Sequence, residues 1–155
     1  MKLSEILRPE SIRIPLASST KDAVLHELVG LLPSSADEGV RDQLLSAVLE
    51  RESRMSTGIG QGIAIPHGKS DQVSGMEIGF GISPTPIDFE ALDGDPVDVF
   101  FVLVSPPDLT GPHIKALAQI SRMLSSDTLR EELAAATGPD QVMELFRREE
   151  TLLDD

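Results

Sequence analysis

Residues 97–104 form the segment that most constrains how this sequence folds. Only Asp98 interrupts a run of valine, phenylalanine and leucine residues. A strand with apolar side chains at consecutive positions presents them to both faces of a sheet, so both faces have to be covered. The run therefore predicts a central strand with helices packed on its two sides.

Helical and strand patterns alternate along the rest of the chain. Further strands are predicted at residues 11–16, 62–66 and 76–83, with Pro15 marking the first as an edge strand and Asp93-Gly94-Asp95 forming a turn. Helices are predicted at residues 20–32, 38–53 and 112–150, the last with breaks near 125–127 and 138–140. We expect an α/β (α+β) fold in which a small mixed β-sheet is flanked by helices on both faces, as a single-domain three-layer sandwich.

Composition excludes several classes of protein. The chain has 155 residues, which predicts one domain over 1–155, and it has no cysteine for disulfides or thiolate sites. No apolar run is long enough to span a bilayer, and the N-terminus lacks the core of a secretory signal, so we expect a cytoplasmic protein. A net charge of −13 disfavours nucleic acid and anionic membranes. The acidic excess favours a basic protein partner or serves solubility alone.

The segment Ile65-Pro66-His67-Gly68 is the strongest candidate for chemistry. It follows the glycine-rich run 57–62 and places His67 just beyond a short β-type segment, at a rigid edge. Proline restricts the backbone before the histidine, and glycine permits close packing after it. A nucleophilic imidazole would suit this position.

Two other polar residues fall on apolar helix faces. Arg51 lies within the apolar arc of the 38–53 helix, so its guanidinium is expected to point toward the core. It is either an arginine snorkelling from the last turn or an anion ligand. His113 starts an apolar stripe directly after Pro112, taken as the first helical residue. It is either a satisfied, partly buried histidine or a hydrogen-bond donor to an oxyanion. His26 lies off its helix's apolar stripe and receives no role.

Taken together, His67, Arg51 and His113 suggest phosphoryl transfer through histidine. A nucleotide-binding loop is the first competing interpretation of Gly68-Lys69-Ser70, but that motif requires glycine at position 63, where this chain has isoleucine. A metal hydrolase is the second, and no His-x-x-x-His or Glu-x-x-His spacing supports it.

Several motifs resemble one protein family. They are Arg51-Glu52, the segments 56–60 and 62–68, Asp93-Gly94-Asp95-Pro96-Val97, Ser105-Pro106-Pro107 and the segment 112–118. Together they resemble the EIIA domain of the bacterial phosphoenolpyruvate-dependent phosphotransferase system, in its fructose, mannitol and nitrogen-regulatory superfamily. The resemblance covers nearly the whole chain and is most specific around His67. Ile114 follows His113 where the family often has leucine.

The resemblance implies a function. His67 would accept a phosphoryl group from a phosphohistidine on an HPr-type carrier, with Arg51 and His113 around it, and no metal or cofactor is required. A transport-type EIIA passes phosphate to an EIIB cysteine, whereas a regulatory type controls a kinase or channel by its phosphorylation state. The N-terminal segments 3–7 and 12–16, without a fused domain, look more like the nitrogen-regulatory type. A binding module without phosphorylation is the third interpretation.

Overall fold

The computed structural model describes residues 2–154, which contain one six-stranded sheet and six α-helices. The strands are β1 (Ile12–Arg13), β2 (Gly58–Gly60), β3 (Ile63–Ala64), β4 (His67–Lys69), β5 (Glu77–Ile87) and β6 (Val97–Ser105). The helices are α1 (Leu3–Ile6), α2 (Lys21–Val29), α3 (Glu38–Arg54), α4 (Thr110–Met123), α5 (Asp127–Ala134) and α6 (Pro139–Asp154). None of these helices is both long and apolar enough to cross a bilayer.

Strand β6 lies at the centre of the sheet, as the apolar run predicts. It pairs antiparallel with β5 on one side and parallel with β3 and then β4 on the other. Strand β1 extends the sheet beyond β5, and β2 extends it beyond β3, in the order β1-β5-β6-β3-β2. Residues 100–104 of β6 have no exposed surface. The sheet is therefore mixed, and its middle strand is covered on both faces.

Alternate side chains of β6 enter two separate apolar cores. Phe101 and Leu103 pack with residues of α4, α5 and α6, whereas Phe100 and Val102 pack with residues of α2 and α3. In the first core, the ring of Phe80 lies 4.8 Å from that of Phe101 and 5.2 Å from that of Phe146, both in edge-to-face geometry. The expected arrangement of helix, sheet and helix layers is thus confirmed.

The helix starts follow from capping side chains. Thr20 Oγ1 accepts a hydrogen bond from the Ala23 amide at 3.2 Å, and Asp37 Oδ1 accepts one from the Val40 amide at 3.1 Å. Each side chain satisfies an amide that the first helical turn leaves without a backbone partner. These local interactions explain why the starts of α2 and α3 agree with the sequence prediction.

Some predicted boundaries are wrong. Helix α2 ends at Val29 instead of near residue 32, and α4 begins at Thr110, which makes Pro112 its third residue. The strand expected at 62–66 is interrupted after Ala64, because Pro66 has no amide hydrogen to donate. The Pro66 carbonyl nevertheless accepts a hydrogen bond from the Leu103 amide at 3.0 Å, so the chain stays beside β6 and resumes as β4. His67 therefore lies within a strand instead of beyond one.

Gly68 allows β4 to lie directly against α3. A Cβ atom at this position would be 3.0 Å from the carbonyl carbon of Ala47 and 3.1 Å from the amide nitrogen of Val48. Both atoms belong to helix backbone, which has little freedom to move away. The absence of a side chain therefore sets the distance between His67 and the C-terminal turns of α3.

Replacing Gly68 with alanine should destabilise the protein. Because the added methyl group would meet α3 backbone, we expect Gly68→Ala to lower the free energy of unfolding by about 1–3 kcal/mol. Denaturant titration measures the change. Gly75→Ala is the matched control, since nothing lies within 4 Å of a Cβ there. Equal stability of the two variants would show that the packing of β4 against α3 does not require glycine at position 68.

Candidate active site

His67 is fixed by its backbone pairing and by one ring nitrogen. Its backbone is paired with Leu103 of β6, and its Nδ1 lies 2.8 Å from the carbonyl oxygen of Ile65. A carbonyl oxygen only accepts hydrogen bonds, so Nδ1 carries the proton and donates it. In the neutral ring, Nε2 is then the nitrogen with a free electron pair. The half-buried ring is held in one orientation with that nitrogen available for chemistry.

Arg51 lies in the last turns of α3 and is half-exposed, so the prediction that its guanidinium points toward the core is wrong. Its Nη1 donates to the carbonyl oxygen of Met55 at 2.9 Å. The buried residues of α3 are Leu44, Val48 and Glu52, at four-residue spacing. The buried face of α3 is centred on that row. At its C-terminal end the buried residue is Glu52, and not Arg51 as the sequence suggested.

Glu52 is a residue that the sequence analysis missed. It is 6% exposed, and its carboxylate accepts hydrogen bonds from the Thr57 amide at 2.8 Å and 3.1 Å. The ammonium group of Lys21 lies 3.4 Å from it. A buried carboxylate is stable only when such donors surround it. Glu52 thereby anchors the chain where it leaves α3 and turns toward β2, and only its place beside Arg51 hinted at a role.

His113 lies in the first turn of α4 and is 4% exposed. Its Nδ1 is 2.5 Å from the hydroxyl oxygen of Ser105, the last residue of β6, which has no exposed surface. The rings of His113 and His67 are 5.5 Å apart between centroids, with an angle of 61° between their planes. The two histidines therefore meet edge to face, although they belong to different elements.

These residues line one open cavity of about 420 Å³. Its wall contains His67, His113, Arg51, Arg54 and Lys69, with Ile114 and Leu117 at one side. The ammonium group of Lys69 donates to Thr110 Oγ1 at 3.0 Å, which ties β4 to the start of α4. The structure thus brings the three residues that the sequence singled out, His67, Arg51 and His113, into the same space.

The charges around this cavity are predominantly positive. Arg54 is paired with Glu50 at 2.5 Å, but no carboxylate of residues 2–154 lies within ion-pair distance of Arg51 or Lys69. The whole chain carries a net charge of −13. A local excess of cations in an acidic protein favours the binding of an anion at this place.

Both histidines are held neutral at physiological pH. Burial lowers the pKa of His67 below its ordinary value, an effect that the hydrogen bond to Ile65 offsets in part and the charge of Arg51 reinforces. Burial, together with the nearby His67 and Lys69, lowers the pKa of His113 from 6.5 to about 4. Neutral His67 keeps its electron pair, and neutral His113 retains one N–H donor and one acceptor.

Other sequence features lie apart from this cavity. His26 is exposed, its Nδ1 is 2.8 Å from the Asp22 carbonyl oxygen, and it lines a second cavity of about 460 Å³ beside Arg13 and Arg41. Gly68-Lys69-Ser70 runs through β4 into a turn instead of opening a helix. Across residues 2–154, no three histidine or acidic side chains converge in a way that could hold a metal ion.

Stability should depend on pH through His113. Its pKa in the folded protein lies below the ordinary 6.5, so the folded state binds fewer protons, and the stabilisation present above pH 6.5 is lost as pH falls toward 4. We expect the native protein to lose about 2 kcal/mol of unfolding free energy relative to His113→Gln between pH 7 and pH 5. Denaturant titrations at both pH values measure it. A constant difference would mean that His113 titrates normally.

Comparison with known proteins identifies the family. The family model described as "Phosphoenolpyruvate-dependent sugar phosphotransferase system, EIIA 2" matches residues 5–149. The match includes every residue of the cavity. It also includes all six strands of the sheet.

Two curated relatives carry different names. The "PTS system fructose-specific EIIABC component" of Bacillus subtilis is 34% identical over 148 residues, which are 96% of this chain and 23% of that protein. This chain therefore spans only about a quarter of that relative. A "Nitrogen regulatory protein" of Bradyrhizobium diazoefficiens is 34% identical over 136 residues and is covered to 88%, as is this chain.

A solved structure shows the same architecture. The nitrogen regulatory protein IIA-Ntr from Neisseria meningitidis superposes with a TM-score of 0.85 at 28% identity, covering 93% of this chain and 98% of that one. Family match, sequence relatives and fold agree. The chain belongs to the EIIA type 2 family of the phosphoenolpyruvate-dependent sugar phosphotransferase system.

Proposed function

We propose that the protein is a histidine phosphocarrier, which accepts a phosphoryl group from an HPr-type protein on His67. The observation that carries this proposal is the hydrogen bond from His67 Nδ1 to the Ile65 carbonyl oxygen at 2.8 Å. It leaves Nε2 as the nucleophile inside a cavity lined by Arg51 and Lys69, neither of which forms an ion pair with a carboxylate of residues 2–154. Nε2 is accordingly the ring nitrogen that we assign to phosphorylation.

The transfer exchanges one phosphorus–nitrogen bond for another. The Nε2 electron pair of His67 attacks phosphorus, while the bond to the donor's ring nitrogen breaks and that nitrogen keeps its electron pair. Nδ1 retains its proton throughout, and the Ile65 carbonyl oxygen stabilises the positive charge that the ring gains. When the phosphoryl group moves onward, the ring can leave as neutral imidazole. No metal ion takes part in these steps.

Three side chains would bind the phosphoryl oxygens. Arg51 supplies a guanidinium, whose planar donors suit such an anion. Lys69 supplies a second positive charge from β4, two residues after His67. Neutral His113 donates a hydrogen bond without adding charge. Donors held in place before the reaction stabilise the transition state without reorganisation, which favours in-line transfer between two proteins.

The rim of the cavity offers a docking surface for the donor. Ile114 is 61% exposed on α4, and Met55 is 59% exposed just beyond α3, whose last turns carry Arg51. Exposed apolar side chains beside a reactive group are typical of protein contact sites. We therefore infer that phosphate arrives from a protein carrier. We place this exchange in the cytoplasm, without direct contact to nucleic acid or insertion into a membrane, since the net charge of −13 disfavours both partners.

Of the two roles within the family, we favour the regulatory one. A TM-score of 0.85 to one nitrogen regulatory protein and a match over 88% of the length of another support it. In this role, the phosphorylation state of His67 would control binding to a kinase or channel. The alternative is a fructose- or mannitol-type EIIA that passes phosphate to an EIIB cysteine. The relation to the fructose-specific protein of Bacillus subtilis favours that alternative.

Phosphorylation of His67 is directly testable. Incubation with phosphoenolpyruvate, the first enzyme of the system and an HPr-type carrier should add one acid-labile phosphoryl group to the native protein and none to His67→Ala. His26→Ala, at an exposed histidine outside the cavity, should be labelled like the native protein. Intact-protein mass spectrometry at alkaline pH detects the group. A native protein that takes no label would support a binding module instead.

The labelled protein also separates the two roles. Loss of label to an EIIB cysteine supports transport. A complex with a kinase or channel that forms in only one phosphorylation state supports regulation. His67→Ala gives the unphosphorylated reference for both measurements.

Arg51→Ala should slow phosphoryl acceptance without unfolding the protein. The half-exposed guanidinium contributes little to the core, while its loss removes one charged donor from the transferred group. We expect the rate to fall roughly 100-fold, at the lower end of the loss seen when other preorganised donors are removed. Arg148→Ala is the control, because Arg148 lies on α6 outside the cavity, where it pairs with Glu132 of α5. An unchanged rate in Arg51→Ala would show that Arg51 does not bind the transferred phosphoryl group.

A further inference from the structure

Ser105 and His113 form a buried polar pair at the wall of the cavity. The distance between Ser105 Oγ and His113 Nδ1 is 2.5 Å, and the two residues are 0% and 4% exposed. His113 is placed beside the phosphoryl group in the proposed function, whereas Ser105 is not among the residues that line the cavity. The pair therefore raises the question of what the serine does.

The position of one proton follows from hydrogen-bond satisfaction. If His113 carried its proton on Nδ1, it would donate to Ser105 Oγ, and the serine hydroxyl hydrogen would need another acceptor. Within residues 2–154, Ser105 Oγ has no second hydrogen-bond partner. A fully buried hydroxyl hydrogen without an acceptor is costly, so the opposite arrangement is favoured. The serine hydroxyl donates to Nδ1, and the single proton of neutral His113 resides on Nε2.

We propose that Ser105 is a positioning residue, which holds His113 in the tautomer that presents an Nε2–H donor to the cavity. The inference rests on the proposed function for its consequence, because the donor serves the phosphoryl oxygens. The serine itself does not touch the transferred group. It acts through the imidazole, as a carboxylate or carbonyl group does when its hydrogen bond to one ring nitrogen of a histidine sets the role of the other nitrogen.

The backbone around Ser105 is suited to this task. Ser105 pairs with Lys69 at the end of the β4–β6 ladder, and its carbonyl oxygen accepts a hydrogen bond from the Ser70 amide at 3.0 Å. His67 pairs with Leu103 in the same ladder. Strand β6 therefore positions both His67, through its pairing with Leu103, and the Ser105 hydroxyl that orients His113. The positions of the two rings are thus set by the same strand.

The tautomer can be measured without any phosphotransfer. Long-range ¹H–¹⁵N correlation spectra of the unphosphorylated native protein at pH 7 should show His113 with unprotonated Nδ1 and protonated Nε2. In Ser105→Ala, the Nδ1 signal should move away from the hydrogen-bonded position. Ser35→Ala, which removes a buried hydroxyl bonded to the Val29 carbonyl oxygen, should leave it in place. A protonated Nδ1 in the native protein overturns the proposal.

The consequence for transfer is measured separately. We expect Ser105→Ala to accept phosphate roughly five- to tenfold more slowly than native protein, the effect of one lost hydrogen bond, with Ser35→Ala close to native. If Ser105→Ala does not fold, Ser105→Thr and Ser105→Val provide a pair of equal volume, of which only threonine keeps the donor. Equal rates for the hydroxyl and non-hydroxyl variants overturn the proposal. A native protein that never becomes phosphorylated overturns the proposed function instead, while the tautomer result stands.

Discussion

The parallel ladder between β4 and β6 determines where each wall of the cavity lies. Residues 100–104 of β6 are completely buried between two cores, so close packing on both faces restricts the movement of this strand. His67 pairs with Leu103, and Lys69 pairs with Ser105. Ser105 of β6 is hydrogen-bonded to His113, and Gly68 of the neighbouring strand β4 packs against α3. Each part of the cavity is thus located relative to one strand.

Close packing then determines what α3 contributes to the cavity. Because Gly68 has no side chain, the helix backbone approaches β4, and Arg51 comes to the same cavity as His67. Glu52, one residue further, turns the opposite way and binds the Thr57 amide. The two neighbouring residues of opposite charge therefore serve different purposes. The arginine lines the open cavity, and the glutamate holds the chain segment that returns toward His67.

Local signals in the sequence were enough to predict much of the fold. The apolar run at 97–104 predicted a central strand, and the helix starts near residues 20 and 38 were predicted correctly, since both kinds of signal act over a few residues. The direction of Arg51 could not be predicted in this way. It depends on which row of α3 faces the sheet, and Glu52 on that row is tolerated only because Lys21 and Thr57 surround it. The continuation of the chain as β4 likewise depends on pairing with β6.

The candidate site shows the same division. Residue types and family resemblance singled out His67, Arg51 and His113, and their roles stay predictions. The contacts that set the protons, from Ile65 to one ring and from Ser105 to the other, were not visible in the sequence. The first contact joins the His67 ring to a carbonyl oxygen two residues earlier, and it depends on the backbone conformation between them. The second joins a strand end to a helix start, and only the folded chain brings them together.

The cations of the cavity have a consequence for recognition. A phosphoryl group on histidine carries a charge of about −2, similar in size and opposite in sign to that of Arg51 and Lys69 together. Its arrival would offset the positive charge of these two side chains in a chain whose net charge is −13, while the exposed Ile114 stays in place. A partner protein would then distinguish the phosphorylated from the unphosphorylated protein by electrostatic potential instead of by shape. Added salt would weaken this discrimination, because it screens the charges.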